Sequence, residues 1–210
     1  MESTNSTGNK QISADFERGC FPKGSSNLYV ALVHYPVINK NGDIIASAVT
    51  NLDLHDIART AKTYGIKSFY VVTPLADQEA LVEKIVSHWT EGLGAQYNPK
   101  RREALELIRV KETIEKVIDD ILNSCSISPK TVVTSAKNGF RTIGYGKFRQ
   151  MLKTGKPYLL VLGTAWGLSD DFITGADYVL SPIKGSADYN HLSVRSATAI
   201  ILDRLLANEN

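Results

Sequence analysis

Three polar residues, Asn51, His55 and Arg59, recur at every fourth position in a stretch whose apolar residues have helical spacing. This spacing predicts that all three lie on one face of a helix, opposite its apolar side. Asn, His and Arg together can hydrogen-bond a phosphate or a nucleobase. A solvated helix face is the alternative, because polar residues are expected there in any case. For Arg59, a structural role paired with Asp56 on the same helix is also open.

Three loops in the C-terminal quarter of the chain have compositions that suit ligand binding. Loop 1 (residues 163–168) contains two glycines and Trp166, loop 2 (residues 181–185) ends in glycine, and loop 3 (residues 188–193) leads into the last predicted helix. Glycines let a backbone approach a ligand closely, and open parallel sheets bind ligands at the carboxyl ends of their strands. Alternatively, the glycines only serve turns and Trp166 fills the core.

Other nucleotide and metal sites are not indicated by the sequence. No G-x-G-x-x-G pattern follows a predicted strand, and the glycine-bearing stretch at residues 139–144 lacks the Lys-Ser/Thr of a P-loop. His55-Asp56 is a pair typical of some metal hydrolases, but such a site needs further His and Asp ligands, and only His34 is suitably placed. We therefore predict no metal site, and interpret both histidines as structural or hydrogen-bonding residues.

Apolar segments that alternate with helical patterns must position these groups. Short apolar runs predict strands at residues 28–34, 67–73, 131–135, 157–163 and 177–182, and helical spacing predicts helices at 50–65, through most of 77–124, near 147–153 and at 191–206. Strands that are nearly all apolar favour a parallel sheet covered on both faces. We predict a single α/β domain over residues 28–210, and interpret residues 1–27, rich in Ser, Asn, Thr and Gly, as a flexible tail.

The composition restricts the classes of function. The chain has 210 residues, 43% of them hydrophobic and 22% charged, which is typical of a globular protein. A net charge of +2 excludes a strongly cationic, histone-like protein but not a local basic patch. Cys20 and Cys125 match neither a disulfide framework nor a zinc site. With no apolar run of about 20 residues and no signal-peptide pattern, we expect a cytoplasmic protein that is not membrane-bound.

Three segments together resemble the motifs of a known superfamily. NLDLHDIARTAKTYGI (residues 51–66), LVLGTAWGLS (160–169) and YVLSPIKG…YNHLSVRSATAI (178–200) resemble, in order, the three motifs of SPOUT RNA methyltransferases. The sequence is most similar to the small bacterial members predicted to be RNA methyltransferases. The resemblance implies a Rossmann-like α/β fold with a C-terminal trefoil knot, a homodimer, S-adenosylmethionine bound in the knot, and methylation of tRNA or rRNA without a metal.

The same resemblance implies a set of site residues. Asn51 and Arg59 match the catalytic motif, and His55 shares their helix face. The implied cofactor-binding residues are Leu162, Gly163, Thr164, Ala165, Trp166, Gly167, Leu168, Leu180, Ser181, Pro182, Ile183, Gly185, Asn190, His191, Leu192 and Ser193. Thr164-Ala165 stands where ribose 2′-O-methylating members have Asn-Glu, and Ser193 and Arg195 replace an Asn and a Ser. These differences count against ribose 2′-O methylation.

Three functions are therefore considered. The first is an S-adenosylmethionine-dependent methyltransferase acting on tRNA or rRNA. The second is a non-catalytic RNA-binding or assembly protein that has kept the knot, and the third is a His-Asp metal hydrolase. Methyl transfer from a sulfonium is an in-line displacement that depends mainly on positioning and needs no metal, which agrees with the residues present.

Overall fold

A seven-stranded parallel sheet forms the centre of the computed structural model, which describes residues 26–137, 139–187 and 189–208. Its strands are β1 (Leu28–Val33), β4 (Phe69–Val72), β5 (Ile108–Lys111), β6 (Lys130–Thr134), β7 (Thr142–Ile143), β8 (Tyr158–Gly163) and β9 (Tyr178–Leu180). The strand order is β5-β4-β1-β8-β6-β9-β7. Two short strands, β2 (Val37–Ile38) and β3 (Ile44–Ile45), pair antiparallel beside it. The predicted α/β class is confirmed, and the proposed tail lies almost entirely outside the described residues.

The helices connect these strands and cover both faces of the sheet. They are α1 (Asn51–Thr63), α2 (Ala76–Thr90), α3 (Leu93–Tyr97), α4 (Pro99–Leu105), α5 (Ile114–Cys125), α6 (Tyr145–Leu152), α7 (Asp170–Gly175) and α8 (Val194–Leu206). Thr50 caps α1, where its hydroxyl accepts a hydrogen bond from the Asp53 backbone N–H. Ser193 caps α8 in the same way, so the last helix begins three residues later than its pattern predicts.

The core has two halves because side chains alternate along each buried strand. In β1, Leu28, Val30 and Leu32 face a cluster formed with α1, α6 and α8. Tyr29, Ala31 and Val33 face the other cluster, which includes α5 and α7. Every residue of β1 is buried. A strand that is apolar on both sides therefore sits in the middle of the sheet, as predicted for a parallel sheet with two covered faces.

Two strands differ from the sequence-based expectation. β5 lies inside the segment predicted as helical, and that prediction is wrong for residues 108–111. The strand pairs with β4, Val71 facing Val110, but only Ile108 is fully buried, so its few apolar residues also fitted a helical spacing. β7 has only two residues, which are too few to show a hydrophobic period in the sequence. The other five predicted strands are confirmed.

The carboxyl ends of β6, β8 and β9 meet at one edge of the sheet, where loops 1 and 2 begin. β9 lies between β6 and β7 in the sheet and pairs with both, although both strands precede it in the sequence. The trefoil knot itself stays a prediction. In the parts of the chain that the structure describes, no helix has the length and apolarity needed to cross a bilayer.

Candidate functional site

A cavity of about 780 Å³ opens where loops 1, 2 and 3 meet the first turns of α1 and α8. Fifteen of the sixteen predicted cofactor residues line it, and Gly185 does not. Those that do are Leu162, Gly163, Thr164, Ala165, Trp166, Gly167, Leu168, Leu180, Ser181, Pro182, Ile183, Asn190, His191, Leu192 and Ser193. Three loops from the C-terminal quarter of the chain thus surround one space, at the edge where a parallel sheet binds ligands.

Loop 1 is held by the backbone of two neighbouring strands. The backbone N–H and the hydroxyl of Thr164 both donate to the Val33 carbonyl, at 3.1 and 2.9 Å. The Trp166 N–H donates to the Ile38 carbonyl at 3.1 Å, and the Ile38 N–H donates to the Gly167 carbonyl at 3.0 Å. The Trp166 side chain is 60% exposed. The interpretation that it fills the core is therefore wrong, and it stands at the cavity rim.

Both glycines of loop 1 are required by the backbone. A Cβ at Gly163 would lie 2.8 Å from the Leu168 backbone nitrogen and 2.9 Å from the Gly167 carbonyl carbon, which is closer than atoms can pack. Gly167 has a φ of +99°, which residues with a side chain rarely adopt. Ala165 also has a positive φ, at +51°. This strained turn directs the backbone of loop 1 into the cavity.

A buried carboxylate and an arginine face the cavity from opposite ends of the sequence. Asp53 Oδ1 lies 3.3 Å from Arg195 Nη1, and the Thr50 hydroxyl donates to Asp53 Oδ2 at 2.7 Å. The Asp53 side chain is 10% exposed, and that of Arg195 37%. Arg195 Nε lies 3.6 Å from Asp56 Oδ2. Of the cavity-lining residues that the structure describes, Asp53 is the only one with a carboxylate.

Sequence reasoning missed this pair as a functional element. In the sequence, the spacing of Thr50 and Asp53 predicts only a helix cap, and Arg195 stands out only as a departure from a motif. The cap was the available signal, because Thr50-x-x-Asp places an acid in the first turn of a helix. No local sequence pattern links Asp53 to Arg195, which lies 142 positions later.

A chain of hydrogen bonds runs from a fully buried histidine to loop 1. His34 Nδ1 lies 3.1 Å from Ser47 Oγ, which lies 2.5 Å from Thr164 Oγ1. Thr164 gives its only hydroxyl hydrogen to Val33, so Ser47 must donate to Thr164 and His34 must donate to Ser47. Burial lowers the pKa of His34, so the imidazole is neutral at pH 7. Through Ser47, His34 thereby holds the Thr164 hydroxyl in its orientation.

The three predicted catalytic residues do share one face of α1, but none lines the cavity. Asn51 and Arg59 are exposed. The His55 ring packs edge-on against Trp89 of α2, with ring centres 5.5 Å apart. Burial, and then the nearby Arg101 guanidinium, lower the pKa of His55. Of these three residues, His55 therefore faces α2 of its own chain while Asn51 and Arg59 face solvent, and a catalytic role for all three stays a prediction.

Metal ligands do not converge in the described part of the chain. No group of three or more His, Cys, Asp or Glu side chains there could hold a metal ion. Asp56, the acid of the His-Asp pair, contacts Arg195 instead. The metal-hydrolase hypothesis gains no support from this arrangement.

Comparison with known sequences identifies the family. Residues 27–207 match the model of a family described as SAM-dependent RNA methyltransferase. The chain belongs to this family. A tRNA (guanine-N(1)-)-methyltransferase of Oleidesulfovibrio alaskensis is 46% identical over 87% of this chain and 42% of the relative, so this chain spans less than half of that relative's length. An uncharacterised protein of Aquifex aeolicus is 40% identical over 87% of this chain and 90% of that protein.

Solved structures of methyltransferases have a fold similar to that of this family member. A probable methyltransferase from Bordetella pertussis has a TM-score of 0.56 and 16% identity, covering 86% of this chain and 94% of that one. A TrmH/SpoU tRNA modifying enzyme of A. aeolicus has a TM-score of 0.52 and 19% identity, covering 94% and 82%. At such identities the likeness concerns the fold alone, and it confirms the predicted Rossmann-like α/β architecture.

Proposed function

We propose that this chain binds S-adenosylmethionine in the 780 Å³ cavity and transfers its methyl group to RNA. The observation that carries the proposal is the convergence of loops 1, 2 and 3 on one cavity in a chain of this family. Its volume lies within the range of cofactor sites, about 300–1,000 Å³. The family match supports both the cofactor and the substrate class.

The residues present fit the proposed cofactor. Leu180, Ile183 and Leu192 offer apolar surface for an adenine ring, and the backbone groups of loops 1 and 2 offer donors and acceptors beside it. Gly163, with no space for a Cβ, keeps the loop 1 backbone next to the cavity. When bound, S-adenosylmethionine supplies an electrophilic methyl group on a sulfonium.

The Asp53–Arg195 pair suits the proton that methylation of an N–H or O–H group releases. Among the described residues that line the cavity, Asp53 carries the carboxylate, so we assign it as the acceptor of that proton. Arg195 holds one oxygen of Asp53, and the Thr50 hydroxyl holds the other. The carboxylate thus enters the reaction already oriented, which saves the cost of ordering it.

tRNA is the first RNA to test. Two curated relatives, 46% and 45% identical, are named tRNA (guanine-N(1)-)-methyltransferase, and this chain covers 42% and 45% of them. We include tRNA in the proposal on the strength of those names, with rRNA second. A tRNA substrate would place the reaction in the cytoplasm.

Two experiments test the proposal. Calorimetry with S-adenosylmethionine and S-adenosylhomocysteine should show binding, and no heat at millimolar ligand would contradict the assigned cavity. Mass spectrometry of nucleosides from tRNA and rRNA of deletion and parent strains should then show one methylated nucleoside missing from the deletion strain. Cofactor binding with no methylated nucleoside lost would favour the non-catalytic RNA-binding alternative.

A further inference from the structure

A second cavity, of about 420 Å³, adjoins the first at the β7–β9 edge of the sheet. Lys137, Tyr145, Ser181 and Pro182 line both cavities. Because the two cavities share these side chains as a wall, a molecule bound in one cavity would lie next to a molecule bound in the other. The cofactor assignment does not use this second space.

Positive charge is concentrated in the second cavity. Lys137, Lys184 and Arg204 line it, and no carboxylate does among the lining residues that the structure describes. Lys184 is exposed and forms no ion pair with any described residue. Lys137 Nζ lies 2.8 Å from Asp170, but both side chains are solvent-exposed, and such pairs are worth little. Three cations in one confined space repel one another, and an anionic ligand would relieve that repulsion.

Hydroxyl groups accompany the cations. The Ser181 hydroxyl lies 3.0 Å from both Thr142 Oγ1 and the Ile143 carbonyl. Because a carbonyl can only accept, Ser181 donates to Ile143 and accepts from Thr142, which leaves Tyr145 as the hydroxyl donor available to a ligand. Tyr145 Oη is buried and has no hydrogen-bond partner of good geometry, and the Arg204 guanidinium lies 5.3 Å from the Tyr145 ring centre. Ammonium, guanidinium and hydroxyl donors together match the several acceptor oxygens of a phosphate.

We propose that the second cavity binds a backbone phosphate of the RNA, adjacent to the nucleotide that enters the first cavity. The proposal rests on the proposed function, because it places the RNA relative to the cofactor site. Every nucleotide in RNA is flanked by phosphates, so a target group in the first cavity brings one close to Lys184 and Arg204. Phosphate contacts position a nucleic acid without reading its sequence.

Salt dependence of RNA binding tests the proposal. Lys184→Ala and Arg204→Ala are compared with Lys84→Ala, an exposed lysine on α2 near the opposite edge of the sheet. Binding to unfractionated tRNA and to rRNA fragments is measured over a series of KCl concentrations. Each cavity variant should bind about 5- to 20-fold more weakly at low salt, and should lower the slope of log Kd against log salt by about 1. Lys84→Ala should leave both unchanged.

Several outcomes would overturn the phosphate site. Unchanged RNA affinity and slope in both cavity variants would do so, as would an equal loss in Lys84→Ala or the absence of RNA binding by the unmodified protein. Weaker binding of S-adenosylmethionine in Lys184→Ala, with RNA affinity intact, would assign the cavity to the cofactor's carboxylate. Stabilisation by inorganic phosphate that depends on Lys184, with RNA affinity intact, would assign it to free anions.

A methyl-transfer assay on the same variants distinguishes this failure from failure of the proposed function. If the protein binds RNA with the expected dependence on Lys184 and Arg204 but transfers no methyl group, the methyltransferase proposal fails and the phosphate site stands. If methyl transfer proceeds and the cavity variants retain normal RNA binding, only the phosphate site fails.

Discussion

At Gly163 the chain leaves β8 and turns back so tightly that a methyl group has no room. Gly163→Ala should therefore displace loop 1 and weaken S-adenosylmethionine binding at least tenfold, measured by calorimetry. Gly167→Ala meets no neighbouring atom and should weaken binding less, through the strain of a φ of +99° alone. Gly146→Ala is the matched control, because open space surrounds that position in α6. Equal affinity in all three variants would place the cofactor elsewhere.

Two arginines have contrasting positions and should have contrasting roles. Arg195 contacts the cavity carboxylate, whereas Arg59 is exposed on α1. Arg195→Ala should reduce kcat for methyl transfer by about a hundredfold, equivalent to about 2.7 kcal/mol, because Asp53 loses its orienting partner. Arg59→Ala should instead raise the KM for RNA, since its guanidinium can reach RNA outside the cavity.

Steady-state kinetics with the true RNA target measure both effects. Arg195→Lys serves as the charge-conserving control and should recover little, because one ammonium cannot replace a planar fork of donors. Normal transfer in Arg195→Ala would remove the Asp53–Arg195 pair from the mechanism. Normal kcat and KM in Arg59→Ala would remove the prediction for Arg59, and with it the reason for grouping Asn51 and His55.

His34 predicts a pH dependence of stability. Burial lowers its pKa in the folded protein, so below about pH 6.5 the unfolded chain takes up a proton that the folded chain does not. The unfolded state then binds more protons, and the free energy of unfolding must fall as the pH falls. Urea unfolding at pH 7.5 and at pH 5.5 should show a smaller loss for His34→Asn than for the parent protein. The exposed His88 gives the control His88→Asn, which should retain the parent's pH dependence, and a full loss in His34→Asn would contradict the prediction.

The C-terminal end of helix α5 has an energetically unfavourable backbone conformation. Ser126, its C-cap, has a φ of +60°, in the left-handed region where a Cβ is unfavourable. Ser126→Gly should raise the free energy of unfolding by about 0.5–1 kcal/mol, measured by urea titration. Ser124→Gly, two residues earlier inside the helix, should lower it by a similar amount. Stabilisation by both variants, or by neither, would show that backbone conformation does not limit this helix end.

The elements that sequence reasoning predicted correctly are those whose burial leaves a local pattern. β1 is buried along its whole length and β8 over its first five residues, so both form unbroken apolar runs in the sequence. The Thr50 cap precedes the periodic residues of α1. β5 was not predicted, because a half-exposed strand of four residues has no distinct hydrophobic period. Loops 1 and 2 could be placed in the site because each directly follows a recognisable strand.

The catalytic centre was harder to predict than the cofactor loops, for a physical reason. Which side of α1 faces the cavity depends on how the helix packs against α8 and α4, and these contacts join residues far apart in the sequence. The face with Asn51, His55 and Arg59 looked functional by residue type, yet Asp53, on the buried side, faces the cavity. Residue type indicates chemistry, but only tertiary packing shows where it is directed.

At the scale of the whole molecule, we expect a homodimer. The proposal rests on the SPOUT resemblance, and α1 and α8, which pack against each other within the chain, are expected to contribute to the interface. Light scattering at micromolar protein should give twice the 23.1 kDa of one chain. A mass of one chain at that concentration would contradict the expectation. Leu52, exposed on α1, is suited to a disrupting variant, and Leu52→Glu should shift the mass toward one chain.

The walls of the first cavity come from distant parts of the chain, with Ser47 and Asp53 early and Arg195 and Ile201 late. Proteins are synthesised and begin to fold from the N-terminus, so β1, α1 and β4 emerge from the ribosome long before α8 exists. Until Ile201 has been added, the nascent chain has no closed place for a methyl donor. Ligand binding stabilises only the state that binds. The donor would therefore protect finished copies from proteolysis, and a chain interrupted before α8 would be left to the cell's quality control.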